Sequence, residues 1–314
     1  MKIFVAGASG ALGRRLVPLL VDCGFDVVAM TRSVEKARTL HDLGAEPVVA
    51  DGLVRSDVMA AVRRSEPEVV IHQMTGLTGV SGLRTFDKGF ARTNRLRTEG
   101  TDNLLAAAVA AGSRRFIAQS YGNWNYEREG ARAKREEDRF DPAPPPAQRR
   151  SLDAIVRLER AVLGAPGIEG IALRYGNFYG PGTGLAEDGD VAALVRKRRL
   201  PVIGAGTGVW SFVHVDDAAT ATLAAIDRGA SGAYNVADDE PVRREVYAGT
   251  LATLIGARPP RFPPTWITPL FGVARALARS QRISNRKLRD ETGWRPRYPS
   301  AREGLAATLR EMAA

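Results

Sequence analysis

The chain has 314 residues, 44% hydrophobic and 25% charged, enough for one large α/β domain or a nucleotide-sized domain with a smaller second lobe. Its net charge of +10 comes from dispersed arginines, many with acids close by as between 127 and 139. Neither a nucleic-acid motif nor an aromatic stacking platform accompanies them, so nucleic acid is not an expected partner, and an acidic or phosphorylated substrate suits the charge equally well.

No apolar run reaches the about 20 residues that a membrane span requires. The opening MKIFVAGASG runs straight into a strand and a glycine-rich turn rather than a signal peptide, so a cytoplasmic location is expected. The single Cys23 has no disulfide partner in the chain and is expected to pack at a helix end.

In chain order, apolar runs alternate with amphipathic stretches. Strands are predicted over 2–6, 26–30, 46–50, 68–72 and 115–119, and helices over 11–23, 34–43, 56–64 and 93–111. This alternation implies parallel pairing with right-handed crossovers, a Rossmann-type doubly wound sheet of the α/β class. Between 123 and 150 the pattern breaks into a charged, proline-rich stretch, read either as a solvated loop or as a lid. A helix over 151–163 and a strand over 170–174 follow, then a Gly/Pro-rich turn over 175–184. The dinucleotide domain is therefore placed at 1–174, completed by about 209–233. A small C-terminal substrate lobe is placed at 175–208 and 234–314.

The strongest motif is Gly7-Ala8-Ser9-Gly10-Ala11-Leu12-Gly13, between the first strand and first helix. Gly7 permits a tight turn, Gly10 lets backbone approach a pyrophosphate, and Gly13 lets helix pack on strand. The helix N-terminus then offers N–H groups and its positive dipole end to phosphate. At the end of the second strand, Val28-Ala29-Met30-Thr31-Arg32-Ser33 carries no carboxylate for a ribose 2′-hydroxyl. Arg32 and Ser33 instead suit a 2′-phosphate, with Arg14 in support, so NADP(H) is the expected cofactor.

Asp51, with Gly52 beside it, either accepts from the adenine amino group or serves as a turn or cap residue. His72-Gln73-Met74, ending the fourth strand, is expected to border the nicotinamide ribose, with His72 a packing residue. The three histidines, His41, His72 and His214, are scattered, so no metal site is expected.

The GASGALG turn and Asp51 join RTNRLRTEGTDNLLAAA with Asn94, RFIAQS, LRYGNFYGPG, SFVHVDDAATATLAAI and GAYNVADDEPV, and the tail SNRKLRDETGWRPRYPSAREGL. In this order the motifs resemble the NAD(P)-dependent epimerase/dehydratase branch of the short-chain dehydrogenase/reductases, the extended members, over nearly the whole chain. The resemblance implies that Asn94 supports the active-site backbone and that Tyr175 and Asn177 lie beside nicotinamide and substrate. It also implies that Arg174 and Tyr179-Gly180-Pro181-Gly182 shape the crossover into the lobe. Phe212, His214, Asp216 and Asp217 would be structural. A homodimer through the helices flanking the fifth strand is a further implication.

The chain departs from that family in its acid–base pair. The family places Tyr and Lys four residues apart on the helix after the fifth strand, on one face, where Lys lowers the Tyr pKa. Aligning Glu159 puts Ser151 at the Tyr position and Ile155 at the Lys position, and no Tyr in the chain is followed four residues later by Lys. The third catalytic position falls on Ser120 and Tyr121, with Tyr121 preferred; Tyr126 enters the site if the following loop folds back. Ser120 is also expected to touch the cofactor.

The leading expectation is therefore an atypical reductase using NADP(H) on a carbonyl, imine or activated alkene. The other readings are a non-redox isomerase, cyclase or lyase on the same scaffold, and an NADP(H)-sensing binding protein.

Overall fold

Short β-branched runs form the centre of the protein. In the computed structural model, which describes residues 1–77, 86–123, 126–127, 132–183, 190–197, 208–258 and 280–313, seven of them build one sheet. They are β1 (Lys2–Ala6), β2 (Asp26–Thr31), β3 (Glu46–Val49), β4 (Val69–His72), β5 (Arg115–Tyr121), β7 (Glu169–Tyr175) and β11 (Gly232–Val236). Their order is β3-β2-β1-β4-β5-β7-β11, and every pairing is parallel. The chain reverses its winding direction between β1 and β4. That switch point opens a crevice at the carboxyl ends of the strands, where ligands of such sheets bind.

Alternate side chains feed two cores, as the two-residue period of a strand requires. Ile3, Val5, Ala29, Ile71, Ile117 and Leu173 pack on α1 (Gly13–Asp22) and α9 (Val215–Asp227). Phe4, Ala6, Val28, Val70, Phe116 and Ala118 pack on the other face. There they meet α3 (Arg55–Ser65), α6 (Thr101–Ala110) and α7 (Arg149–Leu163). The remaining helix on the β2–β3 side is α2 (Val34–Asp42).

The long helix expected over 93–111 is segmented. α4 (Phe86–Gly89) and α5 (Ala91–Arg95) precede a wide π turn, Leu96–Gly100, that leads into α6. Thr98 and Thr101 hydroxyls donate back to the carbonyls of Asn94 and Arg97 at 3.0 and 2.8 Å, a bonding that perturbs a regular helix. π turns of this kind are frequent at functional sites.

The proline-rich stretch is pinned down. β6 (Ala133–Lys134) pairs with a short strand, Arg282–Ile283, Tyr126 bridges Phe140, and a 3-10 turn at Pro146–Gln148 leads into α7. Residues 124–125 and 128–131 of that stretch lie outside the described residues.

The lobe has its own small core of Tyr179, Val195, Phe212, Val242, Leu251 and Leu305. It gathers β8 (Asn177–Tyr179), α8 (Asp190–Arg196), β10 (Phe212–His214), α10 (Arg244–Leu254) and the last helix, Ala301–Ala313. Positions 184–189, 198–207 and 259–279 of the expected lobe are outside the described residues. The sheet layer keeps more of the chain than expected. β11 runs on to Val236, and Leu288 and Trp294 join the core of the main sheet. Cys23 is exposed at the end of α1 rather than packed, because the helix stops there and Gly24 turns the chain at φ 79°.

Candidate active site

The glycine-rich turn is locked by backbone contacts. Gly7 has φ 89°, and a Cβ there would stand 2.6 Å from the Gln73 carbonyl, so only glycine lets β1 pass β4 this closely. A Cβ at Gly13 would lie 2.3 Å from the Ala8 carbonyl oxygen, which fixes how closely α1 seats on the turn. Gly10 is exposed, and its N–H bonds Gly7 O at 3.0 Å. Leu12 caps α1 without a side-chain bond and the first turn of the helix holds no acid of its own, leaving its N–H groups and positive dipole end without a carboxylate cap. Ser9 Oγ lies 3.0 Å from Thr31 Oγ1, tying the turn to β2.

At the end of β2, Arg32 is exposed and Ser33 caps α2, accepting from Lys36 N at 3.2 Å. Asp51 accepts from Leu53 N at 3.1 Å and from Arg92 Nη2 at 3.1 Å. Burial works against its charge, but the Leu53 bond, Arg92 and then Arg32 outweigh it and hold the carboxyl below its usual pKa. Two guanidiniums against one carboxylate leave this corner net positive. Arg14, expected to help here, reaches the turn after β8, with Nη2 beside Gly182.

Gly52 lies so near Met74 that a Cβ would meet its Sδ at 2.3 Å, and Asn103 Nδ2 bonds Gly52 O at 3.1 Å. His72 is a packing residue: its Nε2 lies 3.2 Å from Leu96 O and 3.1 Å from Thr101 Oγ1. Burial, with Arg97 contributing, depresses it to about 4, so it stays neutral. Gln73 is 4% exposed, and its amide makes no hydrogen bond of good geometry, bearing only on the Tyr175 hydroxyl. Tyr175 stands next to it and gives its own hydroxyl bond to Thr222 Oγ1 at 2.6 Å. A buried unsatisfied amide at a switch point fits a ligand that supplies the missing bonds. The turn, the bare helix end and Gln73 together suit a dinucleotide.

The three expected catalytic residues do not converge on one point. Ser120 Oγ donates to Glu159 Oε1 at 2.6 Å, and Arg174 grips Glu159 through Nε at 2.9 Å and Nη2 at 2.6 Å. Arg174 Nη1 donates to Tyr126 OH at 2.9 Å, and Tyr126 donates to Asn235 Oδ1 at 2.6 Å. Burial pushes the Tyr126 phenol up to about 12. Ser120 and Tyr126 thus belong to one buried network that ties α7 to β7 and β11. The physical reason is the strand alternation, which turns Ser120 toward α7. Tyr121 is different: it is half-buried at the end of β5, and its hydroxyl donates to Asn177 Oδ1 at 2.6 Å.

The Tyr and Lys positions of the resemblance are filled and buried. Ser151 and Ile155 are both 0% exposed on α7. Ser151 accepts from Asn94 Nδ2 at 3.1 Å and donates to Asp87 Oδ1 at 2.6 Å, while Asp87 also takes the N–H of Ser151 at 3.0 Å. Asn94 therefore supports the start of α7.

One residue escaped the sequence reading. Arg97 sits in the π turn, 5% exposed, with Nη1 buried and unpartnered. The signal was present: Arg97 shares its helical face with Thr101 and Leu104, so the periodicity puts a guanidinium on a buried face.

Comparison with known proteins agrees with this architecture. Residues 3–237 match the NAD dependent epimerase/dehydratase family. A 3-diazoavenalumate denitrifying reductase of Streptomyces sp is 39% identical over 97% of this chain and 99% of that protein. A 2-alkyl-3-oxoalkanoate reductase of Stenotrophomonas maltophilia is 27% identical over 82% of this chain and 76% of its own. In fold, the UDP-glucose 4-epimerase of Thermotoga maritima superposes with a TM-score of 0.81 at 21% identity, covering 100% of this chain and 99% of that one. The chain belongs to the NAD dependent epimerase/dehydratase family of extended short-chain dehydrogenase/reductases and is one of its oxidoreductases.

Proposed function

We propose that this oxidoreductase uses NADP(H) to reduce a small organic electrophile that takes hydride without needing the family's Tyr/Lys acid. The observation that carries the reading is the replacement of that pair by buried Ser151 and Ile155 in a chain 39% identical to a named reductase. When bound, NADP(H) supplies a hydride from the nicotinamide ring.

The chain's own residues do the rest. Gly7, Ser9, Gly10, Ala11, Leu12 and Gly13 admit the pyrophosphate to the bare end of α1. Arg32 and Ser33, in the net positive corner beside Asp51, take the 2′-phosphate. Gln73 and Met74 border the nicotinamide ribose with Tyr175 and Asn177 around it. Tyr121, oriented by Asn177, borders the reacting atom and gives up its proton where the acceptor demands one.

A diazo group, named in the 39% identical relative, suits this site best. A diazonium that accepts hydride ends as a C–H bond and dinitrogen, so charge balances with no proton from the protein. Imines and activated alkenes come next, and ketones, which need an acid most, come last. The same reading puts the enzyme in the cytoplasm, as a homodimer through α6 and α7, which light scattering tests.

The deciding experiment has two parts. NADPH and NADH fluorescence titrations of wild type and Arg32→Ala should show tight NADPH binding that is selectively weakened in the variant. NADPH oxidation is then followed against aryl diazonium, imine, enone and ketone panels, over the rate without enzyme. Turnover of a substrate with NADPH absorbance unchanged would overturn the redox reading in favour of an isomerase or lyase.

A further inference from the structure

A buried cation without a counter-ion is expensive, since desolvation costs several kcal/mol that only a paired charge recovers. Arg97 is in that state. It is 5% exposed, Nη1 has no partner, and among the described residues it has neither an ion pair nor a side-chain hydrogen bond. Burial holds its pKa down at about 10, still well above neutral pH, so it carries its charge.

The ionisable groups that bear on Arg97 are Tyr121 and His72, and neither is a carboxylate. These two neighbours place Arg97 at the β4–β5 end of the crevice. Arg32 and the bare end of α1 lie on the β1–β2 side, where the cofactor's phosphates are assigned. One more buried polar atom at this end, Asn177 Nδ2, also lacks a partner.

We infer that Arg97 is the anchor for a carboxylate on the substrate, so that the enzyme acts on organic acids rather than on their neutral counterparts. This rests on the reductase reading for the chemistry but not for the binding. A guanidinium meets a carboxylate through two parallel charge-assisted bonds, and in a site this buried the pairing replaces the lost hydration. Both reductases matched above have organic carboxylates in their names, an avenalumate and an oxoalkanoate. Arg97 also stands within a π turn, a geometry frequent at functional sites.

The test compares cinnamate with its methyl ester, and is a binding measurement as well as a kinetic one. Calorimetric titration into enzyme saturated with NADP⁺ should show the acid binding wild type at least about 30-fold more tightly than the ester, the range a charge-assisted bond supplies. Arg97→Met should abolish that difference while leaving NADPH affinity unchanged. Its melting temperature should equal or exceed that of wild type, because removing an unpaired buried charge relieves the fold. Arg97→Gln serves the same comparison where the Met variant does not fold.

An acid preference that survives in these variants would overturn the proposal, as would a wild type that shows no preference or binds neither compound at millimolar concentration. So would a large loss of melting temperature with the preference retained, which marks Arg97 as structural. Failure of the reductase reading is seen separately, as a lack of NADPH oxidation with every acceptor while the acid preference persists.

Discussion

Asn94 Nδ2 donates to Ser151 Oγ at 3.1 Å, and through Ser151 it reaches Asp87, which caps the start of α7. The position that holds the catalytic phenol in the family pattern is here part of a helix-start clamp. An acid at a helix N-terminus is favoured by the dipole, so Asp87 adds to the clamp electrostatically.

Restoring the family pair therefore should not restore its chemistry. Ser151→Tyr with Ile155→Lys forces a phenol and an ammonium into positions with no exposed surface. We expect a loss of about 3–5 kcal/mol in urea unfolding, the range for an uncompensated buried charge, and no gain in ketone reduction. A stable double variant that reduces ketones would show that the pocket at α7 has room that its burial denies.

The Glu159–Arg174 pair should be the most sensitive point of the fold outside the apolar core. Glu159→Ala leaves Arg174 charged and buried and takes away the Ser120 partner, and is expected to cost about 3–5 kcal/mol. Ser120→Ala removes one hydroxyl bond and is expected to cost about 1–2 kcal/mol. Equal losses from the two variants, measured by chemical denaturation, would contradict this ranking.

Two glycines in the turn should separate folding from binding. Gly7→Ala drives a Cβ onto the Gln73 backbone at a positive φ, so folding suffers by about 2 kcal/mol or more. Gly10→Ala meets only Gly7 O at 3.3 Å, so the melting temperature should move little. NADPH affinity should still fall more than tenfold, because the methyl sits where the pyrophosphate must approach. Melting curves and fluorescence titrations on the same samples check both halves.

Acid should destabilise the protein partly through His72. Its ordinary value of 6.5 falls to about 4 in the fold, so between those pH values the unfolded chain binds more protons and stability rises with pH. Stability is full above about 6.5 and lost as pH drops to about 4, by up to roughly 3 kcal/mol from this residue. Asp217 works the other way, since burial raises it to about 6 and its contribution falls as pH rises from about 4 to 6. The clean measurement is the difference between wild type and His72→Gln across pH 4 to 7. A difference that does not change with pH would refute the assignment.

Tyr121→Phe removes the bond to Asn177 and the phenol that ends β5. Ketone turnover should fall about 100-fold in kcat, the scale of a lost general acid, and diazonium turnover by tenfold or less. Equal losses on both acceptors would mean that Tyr121 positions the substrate and donates no proton.

Six of the seven sheet strands and the phosphate-binding turn were legible in the sequence, because these follow from local rules. A two-residue apolar period makes a strand, helical spacing makes the crossover, and Gly13 answers to a steric limit set five residues earlier by Ala8. The missing Tyr and Lys were legible for the same reason, since a fixed spacing on one helix can be searched. Which polar groups meet emerges only from the folded chain. Asp51 finds Arg92 across 41 residues, Ser120 finds Glu159 across 39 and Tyr126 finds Asn235 across 109. Those pairings spend Ser120 and Tyr126 on the fold and leave Arg97 without a counter-ion among the described residues. Side-chain charge is written in the sequence, but the cost of burying it depends on neighbours brought from distant parts of the chain.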